Sequence, residues 1–219
     1  MVARARTLLC NVQHSLRPMN ADEVLRRMCD VYASAWTYQD SGTAVFVGAD
    51  GLEPPKALEG IFQTRFERSV GLFFRIEGLT AEPIVIRSSL QRATEVRGLK
   101  YTGESLGLAI AAATGVTFGV AYNVPRLLLP DTIPGRVPWT LHAAAIVGEE
   151  DEGGDVCSVI QVDNTLLSVS TRRFVLRSVT TSMDSVQARG ALVERLGSIE
   201  SVGINSSVLT VKYLPTVDK

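Results

Sequence analysis

The 219-residue chain is 46% hydrophobic and 21% charged, which excludes overall disorder and allows a real core. Lys and Arg total 22 against 23 Asp and Glu, a formal charge of −1, so no basic field is present to hold nucleic acid by counterion release. The length suits one β domain or two small ones.

Residues 1–19 read as a flexible arm. It carries early arginines (Arg4, Arg6), and its only compact apolar run, Leu8-Leu9-Cys10, is far short of the apolar centre of a signal peptide. Asn20 then offers an N-cap, with Glu23 in the capping-box position. Val24, Met28, Val31, Tyr32 and Ala35 recur at steps of three and four, widened by Leu25, Cys29 and Trp36. This predicts an amphipathic helix over Ala21 to Ala35 that packs on a large apolar surface.

The period then changes to two. Strands are predicted over Tyr38 to Val47, Ile61 to Arg68 (Phe62, Thr64 and Phe66 on one face), Leu72 to Ile76, Pro83 to Ser89 and Ala93 to Tyr101. Gly78, Gly98 and Gly103 read as bends or bulges in a curved sheet. Ser105 to Thr114 is small and apolar nearly all round, the mark of a buried helix, with Gly115 as its expected end. A short helix or turn follows over Val124 to Leu129.

Strands resume over Trp139 to Val147, Val156 to Asp163, Thr165 to Val169 and Arg173 to Thr181, with two more in Ala191–Val202 and Ser207–Leu214. The acidic run Glu149-Glu150-Asp151-Glu152 beside Gly153-Gly154 reads as a solvated hairpin loop rather than a metal site. No run reaches the roughly 18 apolar residues of a membrane span. The fold expected is mainly β with α: a curved antiparallel sheet forming an incomplete half-barrel. The N-terminal helix and the central helical insert fill its concave face.

Chemistry-bearing residues are sparse. His14 lies in the arm, and His142 sits between Leu141 and Ala143 on a strand, where a structural role outweighs that of a catalytic base. The glycines form no phosphate loop, so no cofactor is expected. Cys10, Cys29 and Cys157 form no CxxC pair and no metal is expected. Cys29 with Cys157 is the one candidate disulfide, against which stands burial as free thiols. Tyr38 and Asp40 share a strand face, either as an acid pair or as partners in a cross-strand hydrogen bond. No catalytic residue is assigned. Phe46, Phe62, Phe66, Phe74, Ile86, Leu106 and Ile110 read either as filled core or as the lining of an apolar cavity.

Three segments carry a resemblance to the LolA-like superfamily of lipoprotein carriers and the bacterial proteins related to them. The first runs from Ala21-Asp22-Glu23-Val24-Leu25 through Tyr32 to Tyr38-Gln39-Asp40-Ser41-Gly42-Thr43. The second is Phe62-Gln63-Thr64-Arg65-Phe66-Glu67-Arg68 with Leu72-Phe73-Phe74-Arg75-Ile76-Glu77. The third runs from Ser105-Leu106-Gly107-Leu108-Ala109 through Thr114-Gly115-Val116 to Val124-Pro125-Arg126-Leu127-Leu128-Leu129-Pro130. The resemblance implies one half-barrel domain over residues 20–219, with helices across its mouth. It implies an apolar cavity for a lipid, acyl chain or lipoprotein anchor, and a place in the periplasm or cell envelope. The alternative is a protein-interaction or envelope-stress sensor module on the same half-barrel without a lipid ligand.

Overall fold

The computed structural model describes residues 19–49, 57–89, 92–98, 105–133, 135, 143–183 and 206–218. Helix α1 spans Ala21–Ala33. The Glu23 N–H donates to Asn20 Oδ1 at 2.8 Å, so the cap works as its residue type requires, while the Glu23 carboxylate pairs with Arg27 at 2.7 Å. Strands β1 (Thr37–Ala49), β2 (Ala57–Glu67), β3 (Gly71–Glu77), β4 (Ile84–Ser89) and β5 (Arg92–Arg97) follow. Helices α2 (Leu106–Val116) and α3 (Val120–Leu128) come next. Then come β6 (Ala144–Asp151), β7 (Val156–Val162), β8 (Thr165–Ser170), β9 (Leu176–Met183), β10 (Ser206–Tyr213) and β11 (Thr216–Asp218).

All the strands join one antiparallel sheet in the order β5-β4-β3-β2-β1-β10-β9-β8-β7-β6, with β11 on the start of β1. Its ends, β5 and β6, do not pair, so the sheet curves without closing and the half-barrel expected from the sequence is the observed fold. Alternation sets the two faces. In β2 Phe62, Thr64 and Phe66 are buried while Ile61, Gln63, Arg65 and Glu67 are exposed. Phe62 and Tyr213 meet edge to face at 5.4 Å across β1, because the residue between them is Gly42; a Cβ there would lie 2.4 Å from the Phe62 ring.

The order of strands dictates where the helices go. β5 and β6 stand at opposite edges of the sheet, so the segment joining them must cross one face. Its apolar residues send it over the concave side. There α2 touches β4 and β5, α3 touches β3, and α1 touches α3 and β6. One continuous core unites the helices with the inner residues of the strands.

Several expectations need correction. Gly115 does not end α2, which runs on to Val116; Gly115 faces open space, so it imposes no packing limit. α3 begins at Val120 rather than Val124, after Gly119 turns the chain at φ 93°. Glu149, Glu150 and Asp151 are strand rather than loop, and the turn is Glu152–Gly154. Charges are tolerated there because β6 is an edge strand whose side chains are exposed almost throughout. The expected strand at 191–202, the arm at 1–18, His14, His142 and Cys10 lie outside the described residues. Cys29 and Cys157 are both free thiols.

Candidate functional site

The concave face is built by alternation. Phe46 from β1, Phe62 and Phe66 from β2, Phe74 from β3 and Ile86 from β4 are all buried on the inner face, as are Leu106 and Ile110 from α2, which packs against β4 and β5. All seven candidates belong to the one core, and none is more than 6% exposed. Their side chains meet one another and the helices. Phe62 and Phe74 stack at 6.5 Å, and Phe46 stacks at 4.3 Å on Phe118, which stands in the turn between α2 and α3. The backbone of Phe118 is held at φ 54°, a conformation that a bulky residue adopts only when its surroundings impose it.

A polar group lies inside this apolar floor, and the sequence reading caught only part of it. Tyr38 and Asp40 do share a face. The Tyr38 hydroxyl donates to Asp40 Oδ2 at 2.6 Å, and the Thr64 N–H donates to Asp40 Oδ1 at 2.8 Å from the facing position of β2. Thr64 Oγ1 is buried and makes no full hydrogen bond, yet it lies near enough to favour the Asp40 charge. Asp40 is 2% exposed, and burial pushes its carboxyl up to about 6 against the partial relief given by Tyr38 and Thr64. No cation is among the groups that act on it. Burial also raises the phenols of Tyr38, Tyr32 and Tyr213.

This group ties two of the helices down. Tyr32 of α1 accepts from the Leu176 N–H at 3.1 Å, with its ring 5.3 Å from that of Tyr38. Asn123 of α3 donates to the Tyr213 hydroxyl at 3.1 Å. Arg68, at the end of β2, donates to the carbonyls of Ala35 (3.0 Å) and Ala33, closing the C-terminal end of α1.

Helix α2 differs. It contains no charged residue and one polar side chain, Thr114, whose hydroxyl bonds back to Ile110 O at 2.6 Å. Among the described residues, no hydrogen bond or ion pair joins its side chains to the sheet. It is held by Leu106, Ala109, Ile110 and Ala113, all buried. Its far side is apolar as well: Leu108 is 58% exposed, and Ala111 and Ala112 are exposed beside it.

Other chemistry is limited. Among the described residues no three His, Cys, Asp or Glu side chains converge as metal ligands, and no helix is long and apolar enough to cross a membrane. Cys157 is buried, and desolvation pushes its thiol up to about 11, away from reactivity. The acidic run at the end of β6 and in the turn after it is engaged internally. Ser168 donates to Glu150, and Lys212 Nζ lies 3.2 Å from Glu152 Oε1.

No protein-family model matches the chain, and no curated protein does. Among solved structures it is similar to a LolA superfamily protein from Nitrosomonas europaea, at 10% identity over 92% of this chain and 95% of that one, with a TM-score of 0.35. It is also similar to a DUF1329 family protein from Desulfovibrio piger, at 9% identity over 90% and 91%, with a TM-score of 0.30. A third is an outer membrane lipoprotein-sorting protein domain from Vibrio parahaemolyticus, at 6% identity over 90% and 91%, with a TM-score of 0.25. Likeness at this level leaves function to be read from the site itself.

Proposed function

We propose that this protein is a non-catalytic carrier that holds a lipid, acyl chain or lipoprotein anchor between the concave sheet face and α2. One observation carries the reading: α2 covers an apolar concavity without a polar face of its own and, among the described residues, without a hydrogen bond or ion pair from its side chains to the sheet. A helix that only plugged a core would gain from a charged outer side. A helix that leaves the core to meet hydrocarbon needs apolar residues on both sides. Phe46, Phe62, Phe66, Phe74 and Ile86 would then form the floor of the site, and Leu106 and Ile110 its roof. No covalent step is required, and affinity would come from burying methylenes at about 0.8 kcal/mol each. The sequence resemblance supports a place in the periplasm or cell envelope.

The test is native mass spectrometry of the purified protein with organic extraction of bound material, together with uptake of a fluorescent fatty acid. The expected result is co-purifying or acquired lipid, displaced by Ile110→Trp. A clean apo mass with no uptake would sink lipid carriage. It would favour the second reading, a protein-interaction or envelope-stress sensor module. The burial of all seven candidates in a filled core speaks for that alternative.

A further inference from the structure

Thr64 stands in the middle of the inner face of β2, with Phe62 and Phe66 on either side of it along the strand. Phe74 faces it from β3, and Ile86 follows in the same row on β4. Asp40 of β1 is directly opposite Thr64 on its other side. A polar pair is thus set among Phe62, Phe66, Phe74 and Ile86, the apolar residues of the proposed floor.

Both members of the pair are buried, Asp40 to 2% exposure and Thr64 to 1%. Their hydrogen bonding is incomplete. Asp40 Oδ2 accepts from the Tyr38 hydroxyl and Oδ1 from the Thr64 N–H, one donor to each oxygen. A carboxylate offers about four acceptor positions, so roughly half stay open. Thr64 Oγ1 makes no full hydrogen bond. No cation acts on Asp40 among the described residues. Asp155, less deeply buried, does have one, with Arg173 at 2.6 Å. A hydroxyl without a partner and a buried acid without a cation each cost stability, and a purely apolar core has no use for either. One further group, a cationic donor, would complete both.

We infer that Asp40 and Thr64 form the head-group subsite of the cavity and take the primary ammonium of a single-chain amphiphile. The inference rests on the carrier reading above and narrows its ligand. An ammonium has three N–H donors and no acceptor. Its donors match the open positions on Asp40 and on Thr64 Oγ1, and its charge supplies the missing cation. Facing residues of an antiparallel pair stand about 5 Å apart, so one small head group reaches both. A hydroxyl head would fill fewer of these positions, and a carboxylate head brings the wrong charge. The tail would run along the row from Thr64 over Phe74 to Ile86, two strand steps or about 10 Å. Ile86 belongs to β4, one of the strands that α2 touches, so a chain that takes the place of α2 along this row has its head at the Asp40 end.

The test is displacement of the neutral fluorescent probe N-phenylnaphthylamine from the full chain at neutral pH by dodecylamine, dodecanol and dodecanoate. The three share one chain and differ only at the head. Dodecylamine should bind on the order of tenfold tighter than dodecanol, and dodecanoate no tighter than dodecanol. Asp40→Asn should abolish the preference for the amine and leave dodecanol binding in place. Thr64→Val, which keeps the side-chain shape, should weaken the preference, and near-UV circular dichroism of both variants should match wild type. If Asp40→Asn does not fold, Thr64→Val decides: an undiminished preference would overturn the subsite. Dodecanol binding without any preference for the amine would overturn it too and leave the carrier reading standing, as would a preference that survives Asp40→Asn. Displacement by none of the three would overturn both.

Discussion

Asp40 is buried without a cation, and its carboxyl titrates at about 6 rather than near the ordinary value of 3.8. A group whose folded value is raised is fully stabilising, in relative terms, below its unfolded value, and that stability is lost as pH rises through the folded value. The window therefore runs from about pH 4 to pH 6, and the charged form costs about 3 kcal/mol above it. Other carboxylates titrate in the same range, so the useful comparison is with Asp40→Asn. The amide accepts from the Thr64 N–H and can donate to the Tyr38 oxygen, but never ionises. Urea unfolding of both proteins at about pH 4 and about pH 7.5 isolates the effect. The variant should gain about 2–3 kcal/mol on wild type between the two conditions. An unchanged difference would mean that Asp40 is solvated or paired with a cation in solution, and the account of the polar floor would fail.

Three further outcomes follow from packing. Met28→Ala removes a fully buried side chain of α1 and should cost about 2–5 kcal/mol in urea unfolding; less than about 1 would mean that α1 does not pack on the core. Gly71→Ala forces φ 137° on a residue whose Cβ would lie 1.9 Å from Ser88 O, so a loss of about 1–3 kcal/mol or more is expected, and a neutral result would contradict the tight β3–β4 start. Cys157, buried with its thiol near 11, should resist iodoacetamide at about pH 8 until the protein unfolds, as read by mass spectrometry of the digested peptide.

The parts of the fold legible in the sequence were those where one local signal sufficed. Asn20 and the spacing of Val24, Met28 and Tyr32 define α1, because a cap and an apolar stripe act within one or two turns. Phe62, Thr64 and Phe66 alternate because one face of β2 is buried. The acidic end of β6 is not legible as strand, because an edge strand exposed on both faces has no apolar alternation to show. The three-residue β11 is too short to display a period at all. The site was legible as a face and not as an assembly. Tyr38 and Asp40 declare their common side by being two apart. Thr64, Tyr32, Asn123 and Tyr213 join them only through register and helix docking, which bring together residues up to 144 positions apart.

The uneven anchoring of the helices sets a condition on any ligand of the carrier reading. α1 and α3 are tied to the sheet by Tyr32, Asn123 and the carbonyl contacts of Arg68, so moving either breaks buried hydrogen bonds. Among the described residues α2 has no side-chain hydrogen bond to a strand, and its C-terminal end bonds to the turn that joins it to α3, as from Thr117 to Ala113 O at 2.8 Å; lifting its first turns exposes chiefly Leu106 and Ile110, at about 1.5–3 kcal/mol each. At about 0.8 kcal/mol per methylene, an acyl chain must bury roughly four to eight methylenes merely to offset that loss. Short chains should therefore fail and long ones bind, with affinity rising only beyond the offset. A displacement series of straight-chain fatty acids against a fluorescent probe measures this directly. A threshold near eight carbons, shifted to shorter chains by Ile110→Ala, fits displacement of α2. Equal binding of hexanoate and palmitate would mean that the ligand does not replace α2, and the site would have to be sought elsewhere on the sheet.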